Sequence, residues 1–332
     1  MNSLHHPIQA LSLESLREVI ADDMLAIDEV IRRRLQSEVL LINQIAHYII
    51  ESGGKRLRPA LVVLAGNLFN APRAHTYELS AVIEFIHTAT LLHDDVVDES
   101  HLRRGRKTAN AEFGNAASVL VGDFLYSRAF QMMVEVGSAR VMQVLANATN
   151  VIAEGEVLQL LNIHDPDTNE ESYLRVVRYK TAKLFQAAAQ VGAILGNATP
   201  RDELALADYG THLGTAFQLI DDVLDYSGDS DETGKNIGDD LAEGKPTLPL
   251  IYAMRKGSEA QRNAVRRAIQ DGGRAEMENV VRAINETGAL EYARRAAKAE
   301  ASAASSAISH LCDSVYRDTL LQLCVFAVER RY

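Results

Sequence analysis

The sequence predicts an all-α fold, and three observations carry that prediction. Apolar residues recur at steps of three and four along most of the chain, the spacing of a helix face. No run of any length alternates apolar and polar residues as a half-buried strand does. The 332 residues include no tryptophan and are rich in Ala, Leu, Val and Glu, a composition that suits helix bundles. With 47% hydrophobic residues the chain can bury a sizeable core.

In order, residues 1–11 read as a loose tail. From Ser12 the apolar residues Leu16, Val19, Ile20, Met24, Ile27, Val30, Ile31 and Leu35 keep helical spacing, with a bend or break before residues 39–50 resume it. Residues 53–59 read GGKRLRP. The glycines let backbone approach a ligand, and Pro59 suits the first turn of the next helix. Lys55, Arg56 and Arg58 beside a helix start form a candidate phosphate site, the alternative being an ordinary basic loop. A short helix over residues 60–70 and a turn over 70–73 lead into residues 81–104, AVIEFIHTATLLHDDVVDESHLRR. Residues 119–136 form another apolar helix with Tyr126, Phe130 and Met133 on one side, a stripe whose plain reading is core packing. Residues 153–161 carry Glu154, Glu156 and Gln159 on a helix. After a loop at 165–169, Lys180 and Thr181 stand in a helix that continues through residues 184–195. Thr199-Pro200 starts a further helix that reaches Gln218. A Gly-rich loop over residues 227–244 contains Lys235 and reads as a lid. Residues 250–332 are helical by pattern and carry no constellation that reads as catalytic.

Two acidic clusters organise the chain. Asp94, Asp95 and Asp98 end one apolar helical run, and Asp221, Asp222 and Asp225 repeat the same spacing at the end of another. Residues four apart stack on one helix face, and the adjacent carboxylate lies about 100° round. Carboxylates this close raise one another's pKa. A hard, oxygen-preferring cation removes that cost, and Mg2+ is the usual one where phosphates are present. A solvated helix end would explain one cluster; it does not explain a second copy on a second apolar helix. Facing each other, the two would hold Mg2+ around a diphosphate. His87 lies within the first helix, as a core residue or as a donor to such a pocket. His93 adjoins the aspartates without a second His or Cys at zinc spacing.

A net charge of -11 argues against nucleic acid as a partner. Cys312 and Cys324, twelve residues apart on a predicted helix, cannot bridge and read as reduced, buried thiols of a cytoplasmic protein. The N-terminus lacks the pattern of a secretion signal, and no apolar run reaches the ~20 residues that span a bilayer.

Taken together, GGKRLRP at 53–59, HDDVVDES…RRG at 93–105, Lys180-Thr181, FQLIDDVLD at 217–225 and GKPTLPL at 244–250 resemble the trans-isoprenyl diphosphate synthases over most of the chain. The stretches around residues 83–100 and 151–160 are most similar to the long-chain members that supply quinone side chains. The resemblance implies an isoprenoid synthase fold of antiparallel helices around a large central cavity, a single domain over residues 1–332, and a homodimer. It assigns Mg2+ on an allylic diphosphate, such as farnesyl diphosphate, to Asp94, Asp95, Asp98, Asp221, Asp222 and Asp225. It gives that substrate to Arg103, Lys180, Thr181, Gln218 and Lys235, with Lys180 also in the catalytic set, and isopentenyl diphosphate to Lys55, Arg58, His87 and Arg104. A lipid product leaves room for peripheral membrane contact. A terpene cyclase shares the fold, but the second aspartate cluster and GGKRLRP argue against it. A non-catalytic subunit of a heteromeric synthase is disfavoured because both clusters are present.

Product length should depend on what lines the helix below the first cluster. Ala89 and Thr90 lie five and four residues before Asp94, about 7 Å along the axis. Both are small, whereas bulky aromatics there stop growth early in the family, so a long product is expected. Met133 is the candidate for the far end.

Overall fold

The computed structural model describes residues 18–51, 53–103, 105–227, 238–273 and 276–330. The first half contains α1 Ala21–Arg34, α2 Leu40–Glu51, α3 Leu57–Leu68, α4 Arg73–Val97, α5 Ala109–Phe113, α6 Asn115–Val136, α7 Ala139–Asn162 and α8 Glu170–Val176. After a widened helical turn over Val177–Ala182 come α9 Lys183–Leu195, α10 Pro200–Ser227, α11 Asp239–Ala242 and α12 Leu248–Lys256. α13 Glu259–Asp271, α14 Met277–Thr287, α15 Ala289–Ala307 and α16 Val315–Glu329 complete the order. The predicted tail and the Ser12–Leu16 start of the first helix lie outside the described residues. The expected break between the first two helices falls between α1 and α2.

Local chemistry sets several helix ends. Ser138, Asn169 and Ser314 each accept a backbone N–H of the helix they precede, and Ser258 with Gln261 forms a reciprocal cap. Pro249 sits in the first turn of α12, where its missing N–H costs nothing.

α9 is the central element. It packs on α3, α4, α7, α8's widened continuation and α10. Its Phe185, Ala188 and Val191 are buried with Leu61 and Val62 of α3 and Ile83, Phe85 and Ile86 of α4 in one apolar core. Gly214 faces Ala182 and Gly210 faces Phe185, so α10 runs antiparallel to α9. Arg58 lies over Phe185 while Gly66 faces Gly192, so α3 runs in the same direction as α9.

The sequence showed no strand, yet Leu102–Arg103 and Arg106–Lys107 pair as a two-residue hairpin. The exception is a matter of length: two residues cannot show alternation, and Gly105 at φ 72° supplies the left-handed turn position. A second departure concerns the cysteines. Cys324 is buried on α16, but Cys312 is exposed, because it stands in the connection after α15 and not on a helix. Among the described residues no helix is long and apolar enough to cross a membrane.

Candidate active site

Asp94 and Asp98 stand one turn apart at the end of α4, where the Asp98 N–H donates to the Asp94 carbonyl at 2.8 Å. Both are half-buried, and each faces a lysine from elsewhere in the chain. Lys180 Nζ lies 3.5 Å from Asp94 Oδ2, and Lys245 Nζ donates to Asp98 Oδ2 at 2.9 Å. Asp95 is set apart. It is 1% exposed, and its Oδ1 accepts Nε and Nη2 of Arg103 at 3.0 and 2.7 Å. Its Oδ2 is buried without a hydrogen-bond partner among the described residues. Burial pushes the Asp95 carboxyl above its ordinary pKa, and Arg103 pulls it back only in part.

The second cluster sits on α10 in different surroundings. Asp221 is ion-paired with Arg330 at 2.6 Å. Asp222 is 2% exposed and takes neutral donors, the Tyr173 hydroxyl and Gln218 Nε2 at 2.8 Å. Burial, and after it the charge of Asp240, lift the Asp222 carboxyl well above the carboxylate range. Asp225 accepts the N–H groups of Asp239 and Asp240 at 3.2 and 3.4 Å, so it caps α11 and ties the segment that carries Lys245 to α10.

Lys180 and Thr181 were expected in a regular helix; they occupy the widened turn instead. Such a turn holds an extra residue and alters which side chains share a face. Two glycines grip it: a Cβ on Gly155 of α7 would lie 2.6 Å from the Lys180 nitrogen, and one on Gly214 of α10 would lie 2.7 Å from the Ala182 Cα. Lys180 Nζ donates to Glu156 at 2.6 Å, and the Thr181 hydroxyl donates to Gln218 at 3.0 Å. Burial opposes the charge on Lys180, but Asp94 and Glu156 outweigh it and hold its pKa above the ordinary lysine value. Lys180, Thr181, Gln218, Asp222, Asp240 and Lys245 line one cavity of about 160 Å3. Lys180 and Lys245 thus span from the first aspartate cluster to a cavity wall formed by the second.

A separate group of cations gathers around two aromatic rings. Arg58 Nη1 lies 3.1 Å from His87 Nε2, and its guanidinium stacks 4.5 Å over Phe185. Lys55 sits 5.6 Å over Phe217, which packs on Phe185 at 5.7 Å. His87 is therefore part of a polar pair and not an isolated core residue. Arg56 is turned away in a left-handed conformation and paired with Asp28. Arg104 and Lys235 lie outside the described residues, as do residues 228–237 of the expected lid over 227–244, whose remainder carries the short helix α11.

Sequence reasoning gave no site role to Arg330, Lys245, Glu156 or Tyr173. Arg330 is 6% exposed, lies 3.8 Å over Phe217, and donates to the Phe217 carbonyl at 2.7 Å. Its one sequence signal is a basic residue directly after an apolar helical run. Lys245 stood in a quoted motif and Glu156 on the noted helix, but no spacing rule linked either to the aspartates.

Of the residues tied to product length, Ala89 and Met133 are 0% exposed. Thr90 is half-buried and donates to the His87 carbonyl at 2.8 Å. The stripe divides: Met133 is buried in the core, while Phe130 is 37% exposed. His93 contacts the Val119 carbonyl at 3.2 Å and Asp123 at 3.4 Å.

No three carboxyl or imidazole groups among the described residues converge as a ready-made metal cage. Mg2+ does not need one. It takes one or two carboxylates and completes its shell with water and substrate phosphates. Half-buried Asp94, Asp98 and Asp221, each now facing a cation of the chain, supply donors of that kind, and the open Oδ2 of Asp95 fits the same chemistry.

Comparison with known proteins gives a consistent picture. Residues 39–287 match the polyprenyl synthetase family. The chain is similar to octaprenyl diphosphate synthase of Escherichia coli strain K12, 54% identical over 96% of this chain and 99% of that protein. It is 45% identical, over 94% of this chain and 96% of the other, to a Rhodobacter capsulatus all-trans-nonaprenyl-diphosphate synthase described as geranyl-diphosphate specific. A crystal structure of polyprenyl synthase from Caulobacter crescentus CB15, complexed with calcium and isoprenyl diphosphate, superposes with a TM-score of 0.94 at 43% identity, covering 98% of this chain and all of that one. Helical architecture, aspartate clusters and full-length similarity agree: the chain belongs to the polyprenyl synthetase family.

Proposed function

We propose that this chain is a long-chain all-trans polyprenyl diphosphate synthase. It adds isopentenyl diphosphate units to an allylic primer such as farnesyl diphosphate and makes an octaprenyl product for a quinone side chain. One observation carries the reading of the site: Lys180 and Lys245 touch Asp94 and Asp98 while lining the same cavity as Asp222.

In this reading Lys180, Thr181, Gln218 and Lys245, with Arg103 and Lys235, hold the allylic diphosphate. Lys180 trades Glu156 for phosphate oxygens as the substrate enters. Asp94, Asp95, Asp98 and the second cluster would hold Mg2+, with Asp95 also orienting Arg103 through its other oxygen. A metal held there would supply charge neutralisation for the leaving diphosphate. Lys55, Arg58 and His87, with Arg104, hold isopentenyl diphosphate, and Phe185 and Phe217 keep water from the reacting carbons. The allylic C–O bond breaks, the isopentenyl double bond forms the new C–C bond, and the departing diphosphate takes the proton. The product is again an allylic diphosphate, so the cycle repeats.

The chain acts as one polyprenyl synthetase domain, as a homodimer in the cytoplasm, with membrane contact only at product release. Exposed Leu120 and Val134 on α6 and Val157, Leu160 and Leu161 on α7 support a subunit contact that would cover large apolar side chains. The test is incubation with farnesyl diphosphate, isopentenyl diphosphate and Mg2+, followed by dephosphorylation and sizing of the alcohols. The expected product has eight isoprene units. A heptaprenyl, nonaprenyl or geranylgeranyl product would revise the length, and no product at all would make this chain a non-catalytic subunit.

A further inference from the structure

A second cavity, of about 360 Å3, opens between α7 and α9 and shares no lining residue with the active-site cavity. Its polar walls are Arg140, Gln143 and Asn147 on α7 and Lys183, Gln186 and Gln190 on α9. Val144 and Ala187, both buried, form a small apolar floor. The exposed apolar residues of α7 that suit a subunit contact begin at Val157, ten residues and about 15 Å along the helix from Asn147.

The charge balance of this cavity is incomplete. Arg140 is neutralised by Glu203 at 2.7 Å, and Gln190 also donates to that carboxylate at 2.7 Å. Lys183 has no such counter-ion among the described residues. Its ammonium is half-buried and donates to the Gln186 side-chain carbonyl at 3.0 Å. Burial alone moves its pKa, downward, and no carboxylate offsets it. The side-chain carbonyl of Gln143 is likewise taken, by Arg140 at 2.8 Å. The amide N–H groups of Gln143 and Gln186 therefore remain as donors beside the one uncompensated cation.

The geometry points to an anion site between α7 and α9 for a small phosphate-bearing molecule, held by Lys183 with Arg140 and the side-chain amides around it. A phosphate offers several acceptor oxygens to a guanidinium, an ammonium and amide donors at once, and it supplies the counter-charge that Lys183 lacks among the described residues. The volume falls in the range of small-ligand pockets, and the Val144–Ala187 floor can take a short carbon skeleton. The site is independent of the synthase reading, because none of its residues belongs to the aspartate or substrate machinery.

The test is calorimetric titration of the full chain in EDTA, with ribose 5-phosphate in one arm and inorganic phosphate in the other. We expect one saturable site per chain. Lys183→Met weakens it by about tenfold or more, the loss of a charged hydrogen-bond partner. Asn147→Leu, an exposed change that leaves the helix intact, weakens it several-fold. Lys180→Ala leaves it unchanged. Tighter binding of the ester identifies an organic phosphate as the ligand, and equal binding identifies free phosphate; either keeps the site. Absence of saturable binding in both arms, or binding that survives Lys183→Met, overturns it, whichever of Lys180→Ala and Arg58→Ala then abolishes it.

Discussion

The two aspartate clusters share a sequence pattern but not an environment. On α4 every member meets a cation: Asp94 faces Lys180, Asp95 holds Arg103 and Asp98 holds Lys245. On α10 Asp221 is paired with Arg330, while buried Asp222 rests on Tyr173 and Gln218 and Asp225 caps α11. The first cluster is paired with the chain's own cations. The second keeps a carboxyl that burial pushes toward its neutral form until a cation arrives. Identical spacing on two helices thus yields one wall of ion-paired carboxylates and one wall whose buried carboxyl rests on neutral donors, and a metal–diphosphate unit would complete both.

The largest expected effect comes from removing either wall. Asp94→Ala and Asp221→Ala should each lower turnover about 100- to 1,000-fold or more, the scale seen when a group stabilising developing charge is lost. Steady-state assays on folded variants check this, and near-normal turnover in either would remove that cluster from the chemistry. Next in size is a change of product. Ala89 is fully buried one and a half turns before Asp94. Ala89→Tyr should shorten the product to a few units, and Met133→Ala should lengthen it. Mass analysis of the alcohols decides, and full-length product at normal rate from Ala89→Tyr would mean that the growing chain does not pass this helix.

Smaller effects sharpen the contrast between the two substrate regions. Lys55→Ala and Arg58→Ala should raise the KM for isopentenyl diphosphate roughly tenfold or more, whereas Lys180→Ala should do so for the allylic primer. Equal shifts for both substrates in all three variants would argue for one undivided site. The smallest difference compares the carboxylate partners. Arg103→Ala removes a charged double donor from Asp95, while Tyr173→Phe removes one neutral hydroxyl from Asp222. Arg103→Ala should cost more turnover, since neutral hydrogen bonds contribute about 0.5–1.5 kcal/mol and charged ones about 1.5–3 kcal/mol. A larger loss in Tyr173→Phe would reverse the assignment of which wall depends on its partners.

The helices and both acidic clusters were legible in the sequence, because period and repeated spacing are local properties. The pairings across the mouth were not. Lys245 is 147 positions from the Asp98 it holds, and Arg330 is a whole helical region away from Asp221. Nothing local ties a basic residue at the end of α16 to an aspartate on α10. His87 illustrates an intermediate case: its pairing with Arg58 depends on how α3 and α4 pack, so its helix alone left it between core and site. The widened turn at Lys180 was also invisible, since the glycines that approach it most closely, Gly155 and Gly214, lie on two other helices.

The central claim is that both clusters serve a single metal–diphosphate unit, and a double-variant cycle tests it most directly. Turnover would be measured with farnesyl diphosphate, isopentenyl diphosphate and Mg2+ for Asp94→Ala, Asp221→Ala and the combination. Groups that act as a unit are strongly non-additive. The combined variant should therefore be little worse than the poorer single variant. If the two losses multiplied instead, the clusters would be acting independently and the shared-mouth account would be wrong.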